Sequence, residues 1–333
     1  MVDHEDQSKR TNPLNRRAFI AASTVGLASA AAAQGLPGSL PYPDPDWKPG
    51  GPPGRPQDTA FTLDYAPHFG MFQAHAGDDV IDQINFMADA GFRSIEDNWM
   101  RGRPIKEQER IAAALRERNM RMGVFVANNG GFGPPLLTSG DPGAREQFLR
   151  DIRESIDIAD RVGATWATSI PGNVDPSKSM AEQTQHVIEG YKRAAEILDG
   201  SDLVLVCEPL NPRDHGGEWL VTTDQSLALM KAVDSPNVRI LQDLYHQQAS
   251  EGNLIENLDR IWNWAPYIQV GDNPGRKEPG TGEINYTNVF KHLHEKGYKG
   301  IVGMEHGKSR RGKAGEVALI EAYRAVDHPP DAQ

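Results

Sequence analysis

The chain has 333 residues with 38% hydrophobic and 24% charged side chains, the balance of a soluble globular protein with enough apolar material for a large core. Its formal net charge of -11 is spread along the sequence and argues against nucleic acid or an anionic membrane as a main partner. A single cysteine, Cys207, excludes an intrachain disulfide.

The first 33 residues read as an export signal. Asn15-Arg16-Arg17-Ala18-Phe19-Ile20 precedes an alanine-rich apolar run over 21–33, the layout of a leader with a small-residue cleavage site. The paired arginines resemble the twin-arginine signal, so a periplasmic protein with no membrane span in its mature form is expected. Residues 34–57 hold eight prolines and five glycines, a composition that tethers rather than packs. The folded domain is therefore expected over 61–328, behind a Pro/Gly-rich linker at 34–60.

From residue 64 onward, strand and helix patterns alternate. Strands are expected over 65–72, 94–99, 122–128, 165–170, from 204, from 238, over 267–271 and over 300–304. Helices are expected over 78–90, 105–118, 144–162, 180–198, 223–232, 254–264, 286–296 and 315–326. The helix over 78–90 illustrates the pattern, with Val80, Ile81, Ile84, Met87 and Ala88 on one face and Gly91 closing it. Eight βα units without a Gly-rich phosphate turn after the first strand predict a single α/β (β/α)8 TIM barrel rather than an open doubly wound sheet.

In such a barrel the C-terminal strand ends converge on one mouth. The last four strands end at Glu208, Asp243, Gln269 and Glu305. Each alone is compatible with a helix cap or a loop ion pair. Together they place oxygen ligands on one rim, and three carboxylates in contact repel unless a cation sits among them. An all-oxygen set suits Mn²⁺ or Mg²⁺ better than zinc. Cys207, one residue before Glu208, points to the opposite side of its strand and reads as a small buried hydrophobe.

Four segments carry a family resemblance: Cys207-Glu208-Pro209-Leu210-Asn211, Asp243-Leu244-Tyr245-His246-Gln247, the run from Gly271 to Tyr286 with its Pro-Gly-Arg-x-Glu-Pro-Gly-Thr-Gly-Glu-Ile-Asn-Tyr core, and Gly303-Met304-Glu305-His306. With them the chain resembles the hydroxypyruvate isomerase family over about 64–326, within the wider xylose isomerase-like barrels that include ketose 3-epimerases. The resemblance implies that Glu208, Asp243, Gln269 and Glu305 hold the metal, that Glu208 and Glu305 also exchange protons with substrate, and that His246, expected on a loop, binds substrate oxygen. Epimerase relatives place histidine at the position of Gln269, so glutamine points to the hydroxypyruvate isomerase branch.

Two carboxylates flanking a hydroxy-carbonyl can move a proton between adjacent carbons through an enediolate. Hydroxypyruvate would become tartronate semialdehyde. Arg276 suits a substrate carboxylate or hydroxyl. His68, Glu96, Asn98 and Trp99 are candidates for the substrate wall, and Asn128 and Asn129 are ambiguous. Export favours a sugar as the compound met, which keeps open a ketose 3-epimerase, an enzyme acting on oxidised sugars, or a non-catalytic sugar-binding barrel. The expected partner is a small hydroxy-carbonyl or sugar, and a homo-oligomer is compatible with this reading.

Overall fold

A computed structural model describes residues 61–128 and 133–327. The expected signal at 1–33, the linker at 34–60 and Asn129 lie outside the described residues. In chain order the elements are β1 (Asp64–Ala66), α1 (Gln73–Ala76), α2 (Val80–Asp89), β2 (Ser94–Ile95), α3 (Ile105–Glu117), β3 (Arg121–Met122), β4 (Phe125–Val126) and α4 (Pro142–Val162). They continue as β5 (Trp166–Ser169), α5 (Met180–Leu198), β6 (Val204–Cys207), α6 (Thr223–Val233), β7 (Val238–Asp243), α7 (Leu244–Ser250), α8 (Leu254–Ile261), β8 (Tyr267–Gln269), α9 (Tyr286–Glu295), β9 (Ile301–Gly303) and α10 (Gly312–Val326).

Seven strands form one parallel sheet in the order β1-β9-β8-β7-β6-β5-β4, and β2 pairs with β3. Among the described residues, contacts between the two sheets include the Glu96 N–H donating to Pro67 O at 3.0 Å, a parallel bridge between His68 and Glu96, and the Asp97 N–H donating to Val124 O at 3.3 Å. The fold is TIM-barrel-like α/β. Strand alternation sorts the side chains into two layers. Ala66, Val124, Val206, Leu241, Tyr267 and Ile301 pack together inside the curved sheet, with Trp166 and Val204 against them. Leu205, Cys207, Val238 and Ile240 belong to the larger core that includes the helices. Among the described residues no helix is long and apolar enough to cross a membrane.

Three expected elements differ. The strand expected over 65–72 stops at Ala66, because Pro67 has no N–H to continue a ladder and the chain turns at Gly70 (φ 89°) into α1. The strand expected over 94–99 ends early in a 3-10 turn at Met100–Gly102. The strand expected over 122–128 is split into β3 and β4 by the inner layer. A Cβ on Gly123 would lie 2.3 Å from the Tyr267 hydroxyl, and that hydroxyl accepts the Val124 N–H at 3.3 Å. Two helices were not expected, the single turn α1 and α7; α7 begins because the Asp243 carboxylate caps it, accepting from Tyr245 N at 2.7 Å and His246 N at 3.4 Å.

Candidate active site

Inward-facing parity carries each strand into the mouth. Val206 leads to Glu208, Leu241 to Asp243, Tyr267 to Gln269, and Ile301 through Gly303 to Glu305, two residues at a time. Glu208, Asp243 and Gln269 are all buried. His246, expected on a loop, sits in α7 because the Asp243 cap draws the following residues into a helical turn; it is 1% exposed. Ligand atoms of Glu208, Asp243 and His246 lie within 4.8 Å of one another. His246 Nε2 is 3.8 Å from Glu208 Oε1 and 3.6 Å from Asp243 Oδ2.

The protonation of His246 is set by its other nitrogen. Nδ1 accepts from Asn211 Nδ2 at 2.7 Å and from the Asn211 backbone N–H at 3.2 Å. The Asn211 amide cannot be turned round, because its Oδ1 already accepts from Arg213 N and Asp214 N at 3.0 and 2.9 Å. A neutral imidazole with two donors at Nδ1 carries its proton on Nε2, facing the two carboxylates. Burial pushes His246 down to about 4, which keeps it neutral. His246 therefore presents a hydrogen-bond donor rather than a lone pair to the mouth.

Gln269 and Glu305 have different partners. Gln269 Nε2 donates to both Glu96 oxygens at 3.2 Å, while its Oε1 is buried with no partner. Glu96 is fully buried, 2.7 Å from His68 Nε2. It occupies space that glycine leaves: a Cβ on Gly303 would lie 1.8 Å from Glu96 Oε1. Glu305 accepts from Asn98 Nδ2 at 3.0 Å. Arg276 bridges it to Asp243, with one terminal nitrogen 2.7 Å from Asp243 Oδ2 and 3.0 Å from Glu305 Oε2. The guanidinium also lies 5.0 Å from the Tyr245 ring centroid.

The loop that delivers Arg276 is organised by Asp272. Its buried carboxylate accepts from the backbone of Asn273, Gly280, Gly282 and Ile284 at 2.8–3.0 Å. This accounts for the glycine-rich run: a Cβ on Gly282 would lie 2.6 Å from Asp272 Oδ1. Asn211 and Asp272 were not singled out from the sequence, although an Asn three residues after a strand-end Glu and an Asp at the start of a Gly/Pro run are visible signals.

The electrostatics follow the crowding. Burial, then the neighbouring Glu305 and Asp243 carboxylates, raise Glu208 well above the usual carboxylate range. Burial raises Glu305 to about 7 against the pull of Arg276. Burial opposes ionisation of Asp243 too, but the Arg276 guanidinium and two backbone N–H groups outweigh it and hold the carboxyl low. Cys207 is buried away from this cluster, its thiol pushed by burial to about 12.

Residues 84–325 match the model of a family described as xylose isomerase-like TIM barrel. The chain belongs to that family. Within it the expected likeness to hydroxypyruvate isomerases is borne out, and the chain is an isomerase of this family. It is 30% identical over 250 residues to hydroxypyruvate isomerase of Escherichia coli, an alignment covering 74% of this chain and 94% of the relative. It is 28% identical over 231 residues to 2-oxo-tetronate isomerase of Haemophilus influenzae, covering 68% and 87%. A solved structure described as AP endonuclease, family 2 from Brucella melitensis superposes with a TM-score of 0.67 at 23% identity, over 76% of this chain and 96% of that one. The 3-keto-D-glucoside 4-epimerase of E. coli superposes with a TM-score of 0.65 at 18% identity, over 79% and 98%. Likeness to these two structures at such identities shows a shared fold alone.

Proposed function

We propose that the chain is a divalent-metal-dependent isomerase that moves a proton between adjacent carbons of a small hydroxy-carbonyl compound, with hydroxypyruvate to tartronate semialdehyde as the leading reaction. The observation that carries this reading is the buried convergence of Glu208, Asp243 and His246, tied through Arg276 to Glu305. Glu208, Asp243, Gln269 and Glu305 are the proposed metal ligands. The orphaned, buried Gln269 Oε1 supports this, as does the excess of carboxylate charge over the single Arg276. A bound Mn²⁺ or Mg²⁺ would neutralise that charge and polarise the substrate carbonyl.

The chain's own groups do the rest. One of Glu208 and Glu305 takes the proton from the hydroxymethyl carbon, giving an enediolate, and the other returns a proton to the neighbouring carbon. The Nε2–H of His246 donates to a substrate oxygen. Arg276 is suited to the substrate carboxylate, and His68 with Glu96 forms part of the wall. The domain is read as one closed (β/α)8 barrel over 61–328, exported by the twin-arginine signal at 1–33 through the linker at 34–60. That signal favours a second reading in which the exported enzyme is a ketose 3-epimerase or acts on an oxidised sugar.

The test is solvent deuterium incorporation in D₂O with hydroxypyruvate, 2-oxo-tetronate and ketohexoses, on protein whose metal content is measured by elemental analysis. The reading expects one equivalent of divalent metal and exchange into at least one of these compounds. No stoichiometric metal, with no exchange after adding Mn²⁺ or Mg²⁺, overturns it and leaves the sugar-binding barrel.

A further inference from the structure

Loops after three successive strands lace together at the mouth. Pro135 bridges Gly172 antiparallel, and Asn173 bridges Glu218 antiparallel. Val174 N donates to Gly217 O at 2.7 Å and Trp219 N to Gly172 O at 3.2 Å. This flanking pattern makes Asn173 and Glu218 a directly opposed pair without mutual backbone bonds, the geometry that brings two side chains closest on one face. The loop carrying Glu218 also carries Asn211, which fixes His246, and His215, whose ring centroid is 5.2 Å from that of His246. It is therefore part of the site's wall.

Glu218 is 6% exposed, and its Oε2 has no hydrogen-bond partner. Asn173 Oδ1 is also buried and unpartnered, with its orientation fixed because Nδ2 donates to Gly216 O at 3.2 Å. Burial alone raises Glu218 to about 7, which fits a carboxyl with no cation or donor beside it. Such a group is costly, and its cost is offset only when something supplies a donor. Two acceptors on one face ask for hydroxyl hydrogens. A three-carbon hydroxy-acid engaged at Glu208, His246 and Arg276 has no hydroxyls left for them.

We propose that Glu218 and Asn173 form a hydroxyl-recognising subsite that binds the distal hydroxyls of a sugar-sized substrate, making Glu218 a specificity-determining residue. This rests on the isomerase reading of the same mouth and extends it to substrates longer than three carbons.

The experiment compares wild type, Glu218→Leu and Glu218→Gln on hydroxypyruvate, 2-oxo-tetronate and a ketohexose. Glu218→Leu is expected to raise KM for the longer compounds about tenfold or more, with hydroxypyruvate turnover within about twofold of wild type. Glu218→Gln keeps an acceptor and should recover part of the loss. Equal effects on short and long substrates, or none on either, overturn the subsite. If the wild type turns over none of the three, the isomerase reading fails separately. The subsite is then judged by the ketohexose-induced rise in Tm, which Glu218→Leu must abolish and Glu218→Gln partly keep; an unchanged rise overturns it. Because removing an orphaned carboxyl relieves desolvation, Glu218→Leu itself should fold at least as stably as wild type.

Discussion

The two halves of the mouth are built differently. On the β6–β7 side, Asp243 caps the helix that holds His246, and Asn211, three residues after Glu208 and 35 before His246, fixes the imidazole, so these contacts fall within two consecutive βα units. On the other side, Gln269 is fixed by Glu96, 173 residues away, and Glu305 by Asn98, 207 residues away. The first half is assembled as soon as two βα units form. The second depends on the long-range meeting of β9 with β1 and of β1 with β2. Apart from the proton-carrying carboxyls themselves, substitutions of the supporting residues in the first half should act on chemistry, and those in the second on stability.

Sharpening that contrast begins with the two carboxyls proposed to carry the proton. Glu208→Gln and Glu305→Gln should each lower deuterium incorporation by about 10²–10⁴-fold, the range for loss of a positioned acid or base. Circular dichroism should show both folded. Exchange at the wild-type rate in either variant removes that residue from the proton path. Asn211→Leu ranks next. It removes the amide donor to His246 Nδ1 and leaves only the backbone N–H of residue 211 to hold the tautomer, so kcat/KM should fall by about tenfold, and Tm should fall as well because Arg213 N and Asp214 N lose their acceptor. Imidazole ¹⁵N shifts report the tautomer directly. If Nδ1 remains the unprotonated nitrogen in the variant and activity is unchanged, Asn211 does not position His246.

The same contrast explains what the sequence made legible. Glu208, Asp243, Gln269 and Glu305 stood out because each follows an apolar strand by a fixed parity, and parity is a local property. The family of the barrel was legible from the run between Gly271 and Tyr286, whose glycines answer to the Asp272 carboxylate. Short strands were not. Strand β1 ends after three residues and the third expected strand is broken, both for reasons set by non-local packing: the Tyr267 hydroxyl reaches Gly123 from 144 positions away in the chain, a contact with no local signature. His246 was read onto a loop because the capping role of Asp243 was masked by its reading as a strand end. His68 and Glu96 were ambiguous singly, since their pairing depends on β1 and β2 lying side by side.

The smallest expected effect on chemistry, and the clearest on stability, comes from Gly303→Ala. Gly303 sits in β9 opposite Ala66 of β1 and Gln269 of β8, at the junction the second half depends on. The new methyl would meet Glu96 Oε1 at 1.8 Å and Cδ at 2.4 Å. Glu96 has no solvent to move into, being fully buried between His68 and Gln269. Overpacking of this kind costs about 1–3 kcal/mol. In a domain this large that corresponds to a Tm lower by roughly 3–10 °C. Shortening the side chain it strikes should relieve the clash, so the Tm loss of Gly303→Ala with Glu96→Ala should be smaller than the sum of the two single losses. Activity well below Tm should fall less than in Asn211→Leu, because the contacts of Asn211 and the Asp243 cap with His246 do not involve Glu96 or Gly303. Strictly additive losses, or a deeper activity loss than Asn211→Leu, would mean that the two halves are one coupled unit and that the mouth does not divide along its local and long-range contacts.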